Sequence, residues 1–426
     1  MNMKSLFSIA NIICIIVFLF ANITNAQTEE KSRSFVAKDL IDINTLPKWF
    51  SESMVREKTI KKKSKLKLKE LNVSSKVVGK IKLVEKGENF WSYHIDIGTD
   101  SPVECYVFSA FDGPANSLFA IVDAVLKEGV PNLYQKPLSN KFNYAIGSGV
   151  FDGTPYLLMD TLFVVGEGEE KTSGVLKAFS AETNNSLQVC MHNEVGYRET
   201  FFSVFQSFVG AFTANEKSSA FFETVVQMII NDIPVGYSRE MYTVDGEGDI
   251  QVVNESSLLV PVGASSASRT DTKSTSWSRL DGSLINGSEY SVNNSVLSSS
   301  ISIDPQDEKW QVVGQVQGKE VKYELDYDGW LLSGYGFYVG VADLEKSDQN
   351  SAKYYMWLPD ADPSSALEVT ISKVLNNPNA NFKLNLGPVV MDILAEENGV
   401  FRKGVLEQGP VAVDFETIYL KGEPSL

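Results

Sequence analysis

The stretch that most constrains this chain is Leu187–Phe212, where the hydrophobic period changes from that of a strand to that of a helix. Leu187–Asn193 is a short apolar-rich run suited to a buried strand, and Asn193, Glu194 and Gly196 supply a turn and a helix start. Phe201, Phe202, Phe205, Phe208 and Phe212 then fall on one stripe of a helix. Phe221, Phe222, Val225, Val226, Ile229 and Ile230 repeat the pattern and predict a second helix, which Pro234 stops. Two aromatic-faced helices need a surface to cover, and a sheet built from the preceding strands provides one.

Those strands are legible upstream. Phe90–Ile97, Val103–Ser109, Phe142–Ile146, Tyr156–Val165 and Val175–Ser180 read as strands. Pro114–Glu128 reads as a helix with Gly129 as its stop. Strands in a run with helices inserted early and late predict an α+β domain at 80–240. Little helical period remains after Pro261. Residues 241–302 are rich in Ser and Thr and read either as a connection or as exposed antiparallel strands with polar outer faces. The turn dipeptides Asp281-Gly282 and Asn286-Gly287 favour strands. Trp310–Val316, Val321–Tyr327, Trp330–Val341 and later runs to Val411–Leu420 read as strands, which makes 303–426 all-β. The expected fold class is therefore α+β, an N-terminal sheet-plus-helices domain followed by a mainly antiparallel all-β domain.

The first 26 residues carry Lys4, the unbroken apolar run Ile12–Phe20 and the small-residue exit Thr24-Asn25-Ala26. That is the form of a secretory leader cleaved after Ala26, with a run too short to remain as a membrane anchor. No later run is long enough to span a bilayer. The expected location is periplasmic or secreted.

Charge is unevenly placed. Arg56–Lys86 holds twelve basic and three acidic residues, a net +9, which leaves −25 on the rest of a −16 chain. This basic run belongs to an N-terminal arm at 27–79 and its junction with the next domain. Leu66 and Leu68 alternate with lysines, as in an extended strand. The run reads as a solvated arm or edge strand. Lys61, Lys62, Lys63, Lys65, Lys67 and Lys69 are alternatively expected to contact an anionic surface. Nucleic acid is disfavoured as a partner: the acidic remainder repels phosphate, and no aromatic residue lies between Lys58 and Lys86 to stack on bases.

Outside the leader the only cysteines are Cys105 and Cys190. In an oxidising compartment they invite one disulfide, provided both side chains lie on one face of the sheet; otherwise they are two buried thiols. Cys190, His192 and Glu194 alternate along a strand and are the right residue types for a thiol hydrolase. Side chains two apart on a strand stand roughly 6–7 Å from one another, too far for the needed hydrogen bond, so His192 and Glu194 are weak functional candidates. Two histidines and no CxxC leave no zinc framework, and the acidic loops at Asp245–Asp249 and Asp360–Asp362 do not match a calcium loop. Neither GxSxG nor GxGxxG occurs, so no serine-hydrolase or dinucleotide-cofactor signal is present. These features predict a secreted or periplasmic binding or scaffolding protein whose partner is a protein, an envelope component or a small ligand, with no cofactor. The alternative is an extracellular hydrolase with carboxylates contributed from distant positions.

Overall fold

The computed structural model describes residues 29–30, 36–42, 45–109, 118–183, 186–213, 219–294, 296–387, 389–408 and 411–424. The expected leader, Met1–Ala26, lies outside them. The fold is mostly antiparallel β. Two compact units emerge: Phe35–Ser218 with Val260–Ala267, and Ser219–Leu259 with Ser268–Leu426, which Glu29–Glu30 joins by pairing with Val411–Gly422.

The first unit is built on an eight-stranded sheet. Its spatial order is Val36–Asp39, Leu138–Phe151, Thr154–Val165, Thr172–Thr183, Ser186–His192, Val103–Ser109, Phe90–Asp96 and Lys80–Lys86. The helices are α1 (Lys48–Met54), α2 (118–134) and α3 (Arg198–Thr213). The strand register sets Leu158, Phe179, Cys190, Cys105 and Tyr93 in one row across the sheet. The phenylalanine stripe of α3 covers that row. Phe201 and Phe205 each approach the Phe179 ring at 5.0 Å between centroids, and Phe208 meets Tyr93 at 5.8 Å. Phe201, Phe205 and Phe208 are fully buried, and each such side chain contributes about 2 kcal/mol of transfer free energy.

The basic segment is folded onto the same core. Lys63–Leu68 pairs with Val73–Val78 in a two-stranded ribbon. Leu66, Leu68, Val73 and Val77 are buried among the α3 phenylalanines, while the alternating lysines stay outside. Glu57 caps α3: its carboxylate accepts from the Glu199 and Thr200 backbone N–H groups at 3.0 and 2.8 Å, where the helix dipole favours a negative charge. Ser207 Oγ accepts from Val78 N–H at 2.9 Å and fixes the ribbon further along the helix.

The second unit holds most of a fifteen-stranded sheet made of two meanders. One runs from Phe222–Ile230 out to Lys319–Glu324, the other from Ser351–Trp357 to Val411–Gly422, and Val411–Gly422 pairs with Phe222–Ile230. Helix α4 (Gly334–Lys346) lies in the connection between them, capped by Ser333 Oγ accepting from Gly336 N–H at 2.9 Å. Tyr338 of α4 donates to Glu240 Oε2 at 3.1 Å and Tyr242 donates to the same oxygen at 2.6 Å. Burial raises the Glu240 carboxyl to about 7, against these hydrogen bonds.

Four sequence expectations need correction. Phe222–Ile230 is a strand that lies mid-sheet between two neighbours and is buried on both faces, polar Glu223, Thr224 and Gln227 included, so no alternation betrays it. The expected strand Trp330–Val341 is mostly α4, its aromatic and β-branched content having mimicked a strand. Gly129 does not stop the early helix, which continues to Tyr134 and ends at Gln135 in the left-handed region (φ 51°). The Ser/Thr-rich region forms strands whose polar residues partly face inward: Thr270, Thr272 and Ser291 are buried, with Thr270 Oγ1 bonded to Asn293 Oδ1 at 2.6 Å.

Cys105 and Cys190 are direct cross-strand partners on the α3 face and form a disulfide that closes an 85-residue separation. Replacing both by alanine is expected to lower the unfolding free energy of this unit by up to about 4–5 kcal/mol, read from urea unfolding curves whose m-value rises as the unlinked denatured chain expands. A loss under about 1 kcal/mol would show that the staple adds nothing to the aromatic core.

Candidate functional site

On the sheet face opposite α3, helix α2 roofs a groove of about 260 Å³. Its floor is Glu104, Tyr106, Phe163, Leu176 and Met191, and its roof is Val125, Gly129, Val130, Leu133 and Tyr134. The roof is not a regular helix. Leu118–Ala124 is α-helical, Val125–Gly129 is a π turn, and Val130–Tyr134 is α-helical again. Pro131 accounts for the widening: it has no N–H to give the preceding turn, and its ring collides with the carbonyl four residues back. The Val130 N–H instead reaches five residues back to Val125 O. Val125 and Gly129, at the two ends of that turn, both face the groove.

The floor depends on a cross-strand pair. Phe163 lies opposite Gly174, and a Cβ at 174 would sit 2.3 Å from the Phe163 ring. Glycine is thus the one residue that lets Phe163 lie flat, with Tyr134 meeting it edge-on at 6.0 Å. The polar end of the groove is Glu104 and Tyr106. Tyr106 donates to Glu104 Oε2 at 2.7 Å, and burial, followed by the Glu104 charge, holds the phenol well above its ordinary range. His94 Nε2 stands 3.9 Å from Glu104 Oε1, and the carboxylate remains 43 % exposed, free to accept from a ligand.

Of the weak sequence candidates, His192 lines one end of this groove while its ring packs toward α3. Cys190 is bonded to Cys105 and cannot serve as a nucleophile, which removes the thiol-hydrolase constellation. The His192 ring is buried against Phe201, with ring centroids 5.8 Å apart. Burial, helped by the Lys177 charge, lowers His192 to about 3, so it stays neutral. Glu194 Oε1 lies 3.6 Å from His192 Nε2 and accepts from the Ser101 N–H at 2.6 Å, a structural bond. Nearby, Asp160 pairs with Arg198 at 2.5 Å and Lys177 donates to the Gly196 carbonyl; burial brings Lys177 down to about 8. Lys61, Lys62, Lys63, Lys65, Lys67 and Lys69 are all exposed, in or beside the ribbon. The groove itself was missed in the sequence, although Pro131 inside a helical pattern was a signal of a distorted helix.

A hydrolase working through dispersed carboxylates needs a pair of them, and among the described residues of the second unit Glu289 and Asp360 form a buried one. Glu289, on Leu284–Asn293, lies within electrostatic reach of Asp360 in the turn after Ser351–Trp357. Burial raises both, Asp360 to about 7, and the Asp360 charge raises Glu289 further. Glycosidase carboxylates stand roughly 5–9.5 Å apart to admit substrate or water. A pair this deeply buried, beside a cavity of about 50 Å³, leaves no room for a sugar ring. Among the described residues no group of three or more His, Cys, Asp or Glu could hold a metal ion. The acidic loops are backbone-capped turns, with Asp245 Oδ1 accepting from Glu247 and Asp249 N–H and Asp362 Oδ1 from Ser364 N–H.

No family model matches the chain, and no curated protein matches it. Among solved structures it is similar to a beta-barrel-like protein of domain of unknown function DUF1849 from Brucella abortus. The match has 10 % identity and a TM-score of 0.36 over 47 % of this chain and 96 % of that one. Among the described residues no helix is long and apolar enough to cross a membrane.

The acid pair makes stability pH-dependent. Both folded-state values are raised, so the folded chain holds protons that the unfolded chain releases, and stability falls as pH climbs from the ordinary carboxylate range through about 7. Glu289→Gln keeps a donor to Asp360 while removing one ionisable group. Its melting temperature is expected to fall less than that of the original chain between about pH 5 and pH 8, and parallel curves would refute the shared proton.

Proposed function

We propose that this chain is a secreted or periplasmic binding protein that holds a small apolar ligand in the groove beneath α2. The observation that carries the reading is the π turn set over the groove. It places Gly129, without a side chain, and Val125 on the roof, against an apolar floor ending in an accepting carboxylate. π turns inside helices are costly and occur often at functional sites. A mainly apolar concavity with one or two convergent polar groups is the usual form of a small-molecule site. At about 260 Å³ it lies just under the usual range, and suits a short acyl or aromatic moiety rather than a polymer. Glu104 selects a hydroxyl or amine at the end of that moiety over a carboxylate, because an ionised carboxylate accepts and does not donate.

The neutral fluorophore N-phenyl-1-naphthylamine is the probe. It is expected to brighten on binding, to be displaced by dodecylamine better than by dodecanoate, and to bind at least tenfold more weakly to Val125→Trp, whose indole would fill the groove. Equal binding by a folded Val125→Trp variant, checked by circular dichroism, would place the ligand elsewhere or nowhere.

A further inference from the structure

We propose that the lysine face of the two-stranded ribbon, with the strand beside it, docks on an anionic phospholipid bilayer. The register Lys63↔Val78, Lys65↔Lys76 and Lys67↔Ser74 puts Lys63, Lys65, Lys67 and Lys76 on one face. All four are exposed, as are Lys61, Lys62 and Lys69 at the ribbon's ends. Among the described residues none of these seven lysines has an acidic partner, whereas Lys86 is taken by Glu70. The ribbon cannot roll to bury them, since its other face is held in the α3 core.

Lys80–Lys86 is the edge strand of the eight-stranded sheet and is tied to the ribbon at both ends. Gly79 N–H donates to Lys62 O at 2.8 Å, and Lys86 Nζ pairs with Glu70. A bulge between Leu83 and Glu85 interrupts its pairing, and there Leu83 and Val84 are 48 % and 49 % exposed. Lysines meeting phosphate head groups around two aliphatic side chains that reach the acyl boundary are the chemistry of a lipid surface. A nucleic acid would gain nothing from Leu83 and Val84, and this segment offers no aromatic ring to its bases. The net charge of +9 on Arg56–Lys86 against −25 elsewhere repels the remainder of the chain from the same membrane and confines contact to this segment.

The test is co-sedimentation of the folded chain lacking Met1–Ala26 with vesicles of phosphatidylcholine alone or mixed with phosphatidylglycerol, at low and high salt. Binding is expected only to the mixed vesicles and is expected to fall with salt. The triple variant Lys63→Gln, Lys65→Gln, Lys67→Gln should bind about 100-fold more weakly, at about fivefold per lysine. Leu83→Ser with Val84→Ser should weaken binding and leave its salt dependence unchanged. Because the lysines and the two aliphatic side chains are solvent-exposed, both variants should melt with the original chain, and that is checked first. Absence of binding, equal binding to neutral vesicles, or an affinity for heparin that exceeds that for vesicles and ignores Leu83 and Val84 would each overturn the proposal. The outcome is independent of whether the groove binds N-phenyl-1-naphthylamine.

Discussion

Burial of the α3 phenylalanine stripe against one face of the eight-stranded sheet is the interaction on which the first unit depends. It makes Phe179 and Tyr156 ring contacts instead of solvent contacts, and it sets the dry side on which Cys105 and Cys190 meet. It also gives the ribbon a floor for Leu66, Leu68, Val73 and Val77, so that the intervening lysines must point outward. Glu57 binds the start of α3 and stands directly before the basic run, so one contact orients both helix and ribbon. With that face occupied, any ligand for this unit must use the other one, where α2 leaves a groove.

What was legible in the sequence follows the range of the forces involved. The α3 stripe is a local pattern read against a single surface, and the alternation of Leu66 and Leu68 with lysine is local too. Phe222–Ile230 reads as a helix because Phe222, Val225, Val226, Ile229 and Ile230 fall at helical spacing, while burial on both faces of a central strand removes the alternation that would mark it. Its β-branched content, Thr224, Val225, Val226, Ile229 and Ile230, was the better guide. In Gly334–Lys346 the same guide misled, since Tyr335, Phe337, Tyr338 and Val341 are strand formers held in a helix by Ser333 and by burial. The disulfide depends on register between strands far apart in the chain, which no local pattern encodes, so the sequence left two outcomes open. The groove needs a helix laid across a sheet, and only Pro131 hinted at its distorted roof.

The buried charges separate structural from ligand-binding chemistry. On the α3 face, Asp160 is committed to Arg198, and Lys177 to the Gly196 carbonyl. Removing one partner of such a buried arrangement costs about 3–5 kcal/mol, because the other charge is left unsolvated. The shift of Lys177 toward neutrality reflects burial more than any reactive role. His192 is likewise kept neutral by burial, and its ring is an aromatic wall for Phe201.

Glu104 differs from all of these in one physical respect. Among the described residues its two oxygens have Tyr106 and a distant His94 as polar partners, and nearly half of the side chain still meets water. A carboxylate offers about four acceptor positions, so Tyr106 leaves most of them to solvent. Exchanging those waters for one ligand donor costs little desolvation, whereas the apolar floor gains from losing its water entirely. In the proposed site affinity comes from Phe163, Leu176 and Met191, and discrimination comes from Glu104, because a ligand ending in a second carboxylate would face a like charge. Under the proposed reading, that division gives the ligand its chemistry, apolar in body and donating at one end.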